Sequence, residues 1–423
     1  MTSEGECYVY ITLPGHVKPV TAGRYVLNVD RRGGPIGRFV YGRSYLARDD
    51  KLEIDPIELK LSDRTYETVR LKGVFGALRD AGPDFWGRRV IEKHTGKPEL
   101  SELDYLLHSA DDRAGALGFG LNQQPPGPRR KFNQTIALEK LQRIADAIVA
   151  DEETSSDLPH AQIEELLLVG TSMGGARPKT VVEDGNELWL AKFNRHDDRW
   201  NSARVEHAML SLARACGLDV AFSKVVQAGG RDVLMVRRFD RQRVADGYRR
   251  ARMVSALTLL GTEDSHRGRE RWSYVLLAEE LRRTSADAKA DAQELFRRMA
   301  FNALISNTDD HPRNHAILAR ERDWRLSPAY DLTPTTPVSI ERRDLAMTVG
   351  DDGRRATARN LLSQSARFLL DKEEARTIVN EMETKIEATW YHTARAQGVS
   401  EADCERIKGA FAYPGFRLAP QPA

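Results

Sequence analysis

The chain has 423 residues, of which 41% are hydrophobic and 30% are charged. This composition excludes a collagen-like or low-complexity chain, and it is too apolar for wholesale disorder. With 64 basic and 62 acidic residues the formal charge is only +2, so no bulk electrostatic attraction to nucleic acid or anionic lipid is expected.

The three cysteines, Cys7, Cys216 and Cys404, lie far apart in the sequence. This spacing fits neither a disulfide framework nor a cysteine-ligated zinc site, and we expect a cytoplasmic protein in a reducing environment. The first residues lack the cationic and apolar regions of a signal peptide, and no stretch is apolar for long enough to span a membrane. We therefore expect no membrane contact.

Residues 1–120 are rich in short strands and turns. Aromatic and β-branched residues between Gly, Asp and Pro breaks predict strands at residues 24–29, 36–41 and 68–71. Helical spacing of apolar residues predicts helices at 85–94, 102–109 and 138–149. A Pro-rich loop at 123–131 and a second polar break at 151–159 separate these elements.

Residues 180–239 combine a hairpin, a helix and a further strand. Strands at 180–183 and 187–193 flank an Asp-Gly-Asn turn, and Leu188, Leu190 and Lys192 share one face of the second strand. Apolar residues at helical spacing predict a helix over 202–216 that Gly217 ends, and another strand follows at 232–239.

From about Asp240 onward the chain is predicted to be mostly helical. Apolar periodicity recurs at residues 274–281, 294–306, 366–370 and 375–386. A β-rich half followed by a helical half indicates an α+β fold with two lobes.

A glycine-containing segment precedes the hairpin, with the sequence Gly-Thr-Ser-Met-Gly-Gly-Ala-Arg-Pro-Lys at residues 170–179. Small residues let backbone N–H groups approach phosphate oxygens, and Lys179 would add positive charge. The spacing of a Walker motif is absent. Taken alone, such a segment is more often a structural turn than a phosphate site.

Lys192 lies on the same strand face as two leucines, where an ammonium group is costly unless it meets an anion. Glu206 falls one turn into the following helix and is in a position to pair with it. Protein kinases use a strand lysine held by a helix glutamate to position nucleotide phosphates. The alternative is an exposed lysine on an edge strand.

An ordered set of Asp309, Asn314 and Asp331 is the strongest pattern in the chain. The first two belong to the sequence Asn-Thr-Asp-Asp-His-Pro-Arg-Asn at 307–314, and a predicted hairpin at 316–319 and 324–327 precedes the third. Phosphoryl transfer needs a carboxylate to orient the hydroxyl, and a carboxamide and a second carboxylate to hold Mg²⁺. Kinase catalytic loops have the same order and the same Asp–Asn spacing. For Asp310 or His311 alone, an Asx-rich turn is the favoured interpretation.

These motifs resemble those of the HipA family of bacterial serine/threonine kinases, the toxins of toxin–antitoxin pairs. The resemblance rests on GGARPK at 174–179, AKF at 191–193, NTDDHPRN at 307–314 and SPAYDL at 327–332. Residues 36–61 and the DDRAGAL stretch at 111–117 are similar to the family's β-rich N-terminal subdomain. The family's LLPEG-like stretch is not evident, and residues 76–87 take its place.

The resemblance implies a role for each matching residue. Asp309 matches the catalytic base, Asn314 and Asp331 match the metal ligands, and Lys192 matches the lysine that contacts the phosphates of ATP. The implied ATP-binding set is Ser172, Gly174, Gly175, Lys179, Lys192, Glu206, Val236, Arg237, Phe239 and His311. Within the hinge strand at 233–241, Arg237 stands where the family commonly has an acidic residue.

Ser172 falls where the family autophosphorylates a serine of its glycine-rich loop. Phosphorylation there would add about two negative charges beside the ATP site and repel the nucleotide phosphates. A loop serine that bonds its own backbone is the alternative.

The resemblance also implies the architecture and the partners. A bilobal protein-kinase-like fold would have a β-rich subdomain at 1–120, the rest of the N-lobe at 121–240 and a helical C-lobe at 241–423. The implied cofactors are ATP and Mg²⁺, and the implied partners are a protein with a Ser or Thr acceptor and a helix-turn-helix antitoxin. DNA would be contacted only through that antitoxin.

Arginine clusters at 237–252 and 267–271 are interpreted as a solvated face, because no aromatic interleaving or helix-turn-helix pattern accompanies them and acidic residues dilute their charge. A small-molecule kinase on a related fold, or a non-catalytic regulatory protein that keeps the fold, are the alternative functions.

Overall fold

An antiparallel sheet of five strands organises the first 120 residues of the computed structural model. The structure describes residues 5–31, 33–97, 100–127, 132, 137–154, 177–336 and 339–417. The strands lie in the order β4-β3-β2-β1-β5, with the bounds β1 Gly5–Ile11, β2 Val20–Val29, β3 Pro35–Tyr41, β4 Tyr66–Thr68 and β5 Leu117–Gly120. Alternate residues of β1, Cys7, Val9 and Ile11, are buried, as expected for strands with one core-facing side.

The predicted strand over 68–71 is wrong beyond its first residue. β4 ends at Thr68, and Arg70–Lys72 form a 3₁₀ turn. Leu71 and Lys72 have φ values of 49° and 59°, and Gly73 has 85°, so the backbone leaves the extended region that strand pairing requires.

Four helices complete this region: α1 Arg43–Leu46, α2 Gly76–Asp80, α3 Phe85–Thr95 and α4 Glu102–His108. The predicted helices at 85–94 and 102–109 are therefore confirmed. Asp84 begins α3 by accepting a hydrogen bond from the N–H of Gly87 at 2.7 Å. Ser101 begins α4 in a capping box with Asp104.

A second antiparallel sheet, of four strands in the order β6-β7-β9-β8, follows along the chain. Its strands are β6 Lys179–Asp184, β7 Glu187–Phe193, β8 Ser223–Ala228 and β9 Arg231–Arg237. Asp184 pairs with Glu187, so β6 and β7 form the predicted hairpin around a two-residue turn. Gly185 has a φ of 61° there, which a glycine adopts without steric cost.

Two helices flank this sheet: α5 Leu138–Thr154 and α6 Ser202–Ala215. The predicted break at 151–159 is wrong at its start, because α5 continues to Thr154 through two glutamates, which favour helix. Residues 155–159 lie outside the described part. Asn201 caps α6 by accepting from the N–H of Arg204, and Gly217 ends it with a φ of 85°.

The chain beyond Asp240 is less helical at its start than the sequence predicts. Strands β10 Arg241–Val244, β11 Gly247–Arg250 and β12 Arg252–Ser255 come first, and β12 pairs with the predicted hairpin of β13 Ala316–Ala319 and β14 Arg325–Leu326. Helices then dominate, with α7 Ala256–Leu259, α8 Tyr274–Thr284, α9 Ala288–Leu304, α10 Ala358–Ser363, α11 Lys372–Ala396 and α12 Glu401–Ile407. No helix in the described part of the chain is long and apolar enough to cross a bilayer.

The sequence predicts a solvated face for the arginine cluster at 237–252, and this prediction is wrong for part of the cluster. Arg238 is 3% exposed and forms ion pairs with Asp240, at 2.8 Å, and with Asp112. Asp240 also accepts the N–H of Gly115 at 2.9 Å and an N–H of Arg241 at 2.7 Å. A buried arginine is tolerated because two carboxylates and a carbonyl accept four hydrogen bonds from its guanidinium, and such pairing is hard to read from composition. The DDRAGAL stretch of the N-terminal region is thereby joined to the end of β9.

Candidate active site

Lys192, on β7, lies at the centre of the site. Its ammonium nitrogen is 2.7 Å from Glu206 Oε1 on α6 and 2.9 Å from Asp331 Oδ1, and its side chain is 13% exposed. Burial alone would lower the pKa of Lys192, but the two carboxylates outweigh it and hold the pKa above its ordinary value. The predicted contact between Lys192 and Glu206 is therefore present, and the ammonium is charged at any physiological pH.

Asp331 reaches Lys192 from the other lobe. Its φ is 60°, in the left-handed region that a non-glycine residue rarely adopts. Hydrogen bonds fix the residue two positions before it, because the N–H of Ala329 donates to the carbonyl of Asp219 and that of Ala221 donates to the carbonyl of Ala329. Burial would raise the pKa of Asp331, but Lys192 lowers it to about 2. The carboxylate is thus ionised and held at a defined place.

The loop after α9 presents two neighbouring aspartates in opposite environments. Asp309 is exposed at the cleft. Partial desolvation raises the pKa of Asp309, His311 opposes that rise, and the charges of Asp331 and Asp310 add to it. A raised pKa makes the ionised carboxylate of Asp309 a stronger base and therefore a better proton acceptor.

Asp310 is 1% exposed and ties this loop to two helices. It accepts hydrogen bonds from the hydroxyl of Tyr274 on α8 and from Asn302 Nδ2 on α9, the latter at 2.8 Å. His315 Nε2 lies 2.8 Å from the same oxygen. Asp310 therefore fixes the backbone between Asp309 and Asn314, a structural role consistent with the turn-forming interpretation.

Asn314 and His311 lie on the same loop. Asn314 ends a 3₁₀ turn, Pro312–Asn314, and is 7% exposed, yet its carboxamide makes no hydrogen bond within the described part of the chain. His311 packs edge-on against the Trp272 ring at 6.2 Å. Its Nδ1 is buried and has no partner among the residues that the structure describes. Both side chains thus retain unused polar atoms at the cleft.

Two adjoining cavities meet at Lys192. One is apolar, with a wall that includes Ala114, Leu190, Val236, Phe239, Met253 and Tyr330. The other is a polar cleft to which Arg177, Lys179, Asp309 and His311 contribute. Asp84, Lys192, Arg313, Asn314 and Asp331 line both. A planar base fits the first cavity and an anion fits the second, so the pair suits a nucleotide.

Arg237 also lines the apolar cavity, but its side chain is directed to the strand alongside. Its Nη1 is 2.8 Å from Glu187 Oε1, and nearly half of the side chain is exposed. The N–H of Arg237 donates to the carbonyl of Phe222. The departure from the family pattern at this position therefore gives a surface ion pair.

Lys179 is held away from solvent by a residue that the sequence did not single out. Its ammonium lies 2.6 Å from Asp84 Oδ2, and both side chains are at most 3% exposed. Burial lowers the pKa of Lys179 and Asp84 counters that effect. The capping position of Asp84 before α3 is readable from sequence, but its contact with a residue 95 positions away is not. Of the predicted phosphate-binding segment, Ser172, Gly174 and Gly175 lie outside the described residues.

Two protein-family models match this chain. The model of the HipA N-terminal domain matches residues 20–120, and that of the HipA-like C-terminal domain matches residues 171–390. The chain is 33% identical over 339 residues to a protein of Sinorhizobium fredii named "Putative kinase Y4mE", covering 75% of this chain and 77% of that protein. It is 24% identical over 298 residues to the serine/threonine-protein kinase toxin HipA of Shewanella oneidensis, covering 60% of this chain and 65% of that one.

A solved structure shares the fold. The structure of the HipA, HipB and operator DNA complex from Shewanella oneidensis contains a chain that matches with a TM-score of 0.68 and 18% identity, over 94% of this chain and 95% of that one. The predicted α+β kinase-like fold is thereby confirmed.

Asp309 and Asp310 allow a matched test of their different environments, one exposed and one buried. Replacing Asp310 with Ala removes the buried carboxylate that Tyr274, Asn302 and His315 share, so we expect the free energy of unfolding to fall by about 3 kcal/mol. Asp309→Ala removes an exposed carboxylate and is expected to change it by no more than about 0.5 kcal/mol. Urea unfolding followed by circular dichroism measures both; equal losses would contradict the assignment of Asp310 as the buried tether.

Proposed function

Since the chain belongs to the HipA family, we propose that it is a protein kinase that transfers the γ-phosphoryl group of ATP to a serine or threonine hydroxyl of another protein. The observation that carries this proposal is the ammonium of Lys192, held between Glu206 and Asp331 where the apolar cavity meets the polar cleft. Adenine would occupy the apolar cavity, and the phosphates would extend past Lys192 toward Asp309.

The residues at the cleft fit a magnesium ion. Mg²⁺ prefers oxygen ligands and is commonly held by one or two protein groups together with water and substrate phosphates. Asp331 offers an ionised carboxylate, and Asn314 offers a carboxamide oxygen with no other partner in the described residues. Within the described residues, no three or more His, Cys, Asp or Glu side chains form a group that could hold a metal ion by themselves. When bound, the ion would neutralise charge on the β- and γ-phosphates.

Asp309 would act on the acceptor hydroxyl. The hydroxyl oxygen forms a bond to the γ-phosphorus while the bond from phosphorus to the bridging oxygen breaks, and ADP leaves with that electron pair. Asp309 orients the hydroxyl and accepts its proton, for which the raised pKa of its carboxyl is suited. Lys192 stabilises the phosphate charge without a proton change, because it stays protonated.

Replacing Asp309 with Ala tests this assignment. We expect incorporation of the γ-phosphate into proteins of a native-cell lysate to fall at least roughly 100-fold, because a positioned base contributes that much to proton transfer. Asp323→Ala, which removes an exposed aspartate from the turn after β13, is the matched control and should keep full incorporation.

Undiminished labelling by Asp309→Ala would contradict the catalytic assignment. Label found in the metabolite fraction instead of in protein would favour a small-molecule kinase. A wild-type chain that neither labels any substrate nor turns over ATP would favour a non-catalytic partner-binding protein.

We further propose that the chain phosphorylates Ser172 of its own glycine-rich segment. The segment leads directly into β6, whose first residue, Lys179, lines the polar cleft. A phosphate there would place negative charge beside the nucleotide phosphates and lower the affinity for ATP.

Mass spectrometry after incubation with Mg·ATP is expected to find phosphate on Ser172 in the wild type and in a Thr171→Ala control. The Ser172→Ala and Asp309→Ala variants should lack that phosphopeptide. A Ser172→Ala chain that takes up as much phosphate as the wild type would refute this site.

We also propose that the chain is the toxin of a toxin–antitoxin pair and binds a helix-turn-helix antitoxin, through which it contacts DNA. The support is the family and the fold shared with a chain of the HipA, HipB and operator DNA complex. Mass spectrometry of the chain purified from its native cells should find a small helix-turn-helix protein encoded by the neighbouring reading frame. A chain that purifies alone under gentle conditions would contradict this partner.

A further inference from the structure

The polar cleft contains more positive charge than its own carboxylates neutralise. Six of its aspartates have a basic partner within 4 Å, in the pairs Lys179–Asp84, Lys192–Asp331, Arg177–Asp198, Arg195–Asp197, Arg313–Asp264 and Arg342–Asp344. Asp309, the proposed base, is the exception among the described cleft residues. Arg199, Arg269 and Arg354 also line the cleft, are exposed, and form no ion pair with a carboxylate in the described part of the chain.

These three arginines line the polar cleft but not the apolar cavity. Arg199 donates to the carbonyl of Thr336 at 3.3 Å, in the segment that follows Asp331. The backbone carbonyl of Arg354 accepts from the N–H of Leu345, which also lines the cleft.

Arg269 completes this set from a third element. Its guanidinium lies 5.5 Å from the centre of the Trp272 ring, and that ring packs against His311 of the catalytic loop. Three separate segments therefore each contribute an exposed arginine to the cleft that Asp309 also lines, and we call these three residues the arginine rim. Guanidinium groups pair with carboxylates in a fixed fork geometry, so an acidic chain is the complement of this rim.

We infer that this rim selects the acceptor, and that the protein substrate presents aspartate or glutamate residues beside the serine or threonine that is phosphorylated. The inference rests on the proposed function, because it names the substrate class of the same site. In the proposed function Lys192 binds the nucleotide phosphates at the junction of the cavities. Arg199, Arg269 and Arg354 are therefore available to bind the protein that accepts the phosphoryl group. Exposed ion pairs are individually weak and are screened by salt, so the three would act together and most strongly at low ionic strength.

Three synthetic peptides test the inference, each with one serine and flanks of glutamate, glutamine or lysine. We expect the wild-type chain to have the lowest KM for the glutamate peptide and the highest for the lysine peptide. The combined variant Arg199→Gln, Arg269→Gln and Arg354→Gln should raise the KM for the glutamate peptide roughly tenfold. Its KM for ATP and its use of the glutamine peptide should stay at wild-type values.

The matched control removes the same charge elsewhere. Arg43→Gln, Arg282→Gln and Arg322→Gln together replace three exposed arginines outside the cleft and should leave every KM unchanged. Equal use of the three peptides, or a cleft variant that alters the KM for ATP and not for the glutamate peptide, would overturn the inference while leaving the kinase in place. If no peptide is labelled and ATP is not turned over, the proposed function fails and the inference with it.

Discussion

One buried ammonium group, that of Lys192, determines how the two lobes meet. It comes from the next-to-last residue of β7 and is neutralised by Glu206 of the same lobe and by Asp331 of the other. Leaving such a charge without one of its partners costs about 3–5 kcal/mol, so the ion pairs constrain both elements strongly. The left-handed backbone at Asp331 is strained, and the ion pair with Lys192 offsets that strain. This conformation places the carboxylate next to the loop of Asp309 and Asn314.

The N-terminal region takes part in the same site. Asp84 holds Lys179 at the start of β6, and Asp112 and Arg113 contact Arg238 at the end of β9. Trp86 and Val90 of α3 pack in one hydrophobic cluster with α5 and the four-stranded sheet. Residues of this region, such as Gly82 and Ala114, also line the apolar cavity. A displacement of the N-terminal region would therefore alter the shape of the apolar cavity, because buried charged contacts connect the two.

Local patterns in the sequence were sufficient for the hairpin of β6 and β7, for α6, and for the pairing of Lys192 with Glu206. Each depends on residues close in sequence, where alternation, capping and turn chemistry act directly. The errors have a different cause. The strand β12 depends on pairing with the distant strand β13. The burial of Arg238 depends on Asp112, which lies 126 positions away. Asp84 and Asp310 read as ordinary capping or turn residues, because only the fold supplies their partners.

A crystal structure of the chain with Mg²⁺ and a non-hydrolysable ATP analogue would show directly whether the two cavities hold a nucleotide at Lys192. We expect adenine in the apolar cavity beside Leu190 and Phe239, a phosphate oxygen against the ammonium of Lys192, and a metal bonded to Asn314 and Asp331 at roughly 2.1 Å. A nucleotide bound elsewhere, or one whose phosphates leave Lys192 paired only with Glu206 and Asp331 as it is now, would contradict this expectation.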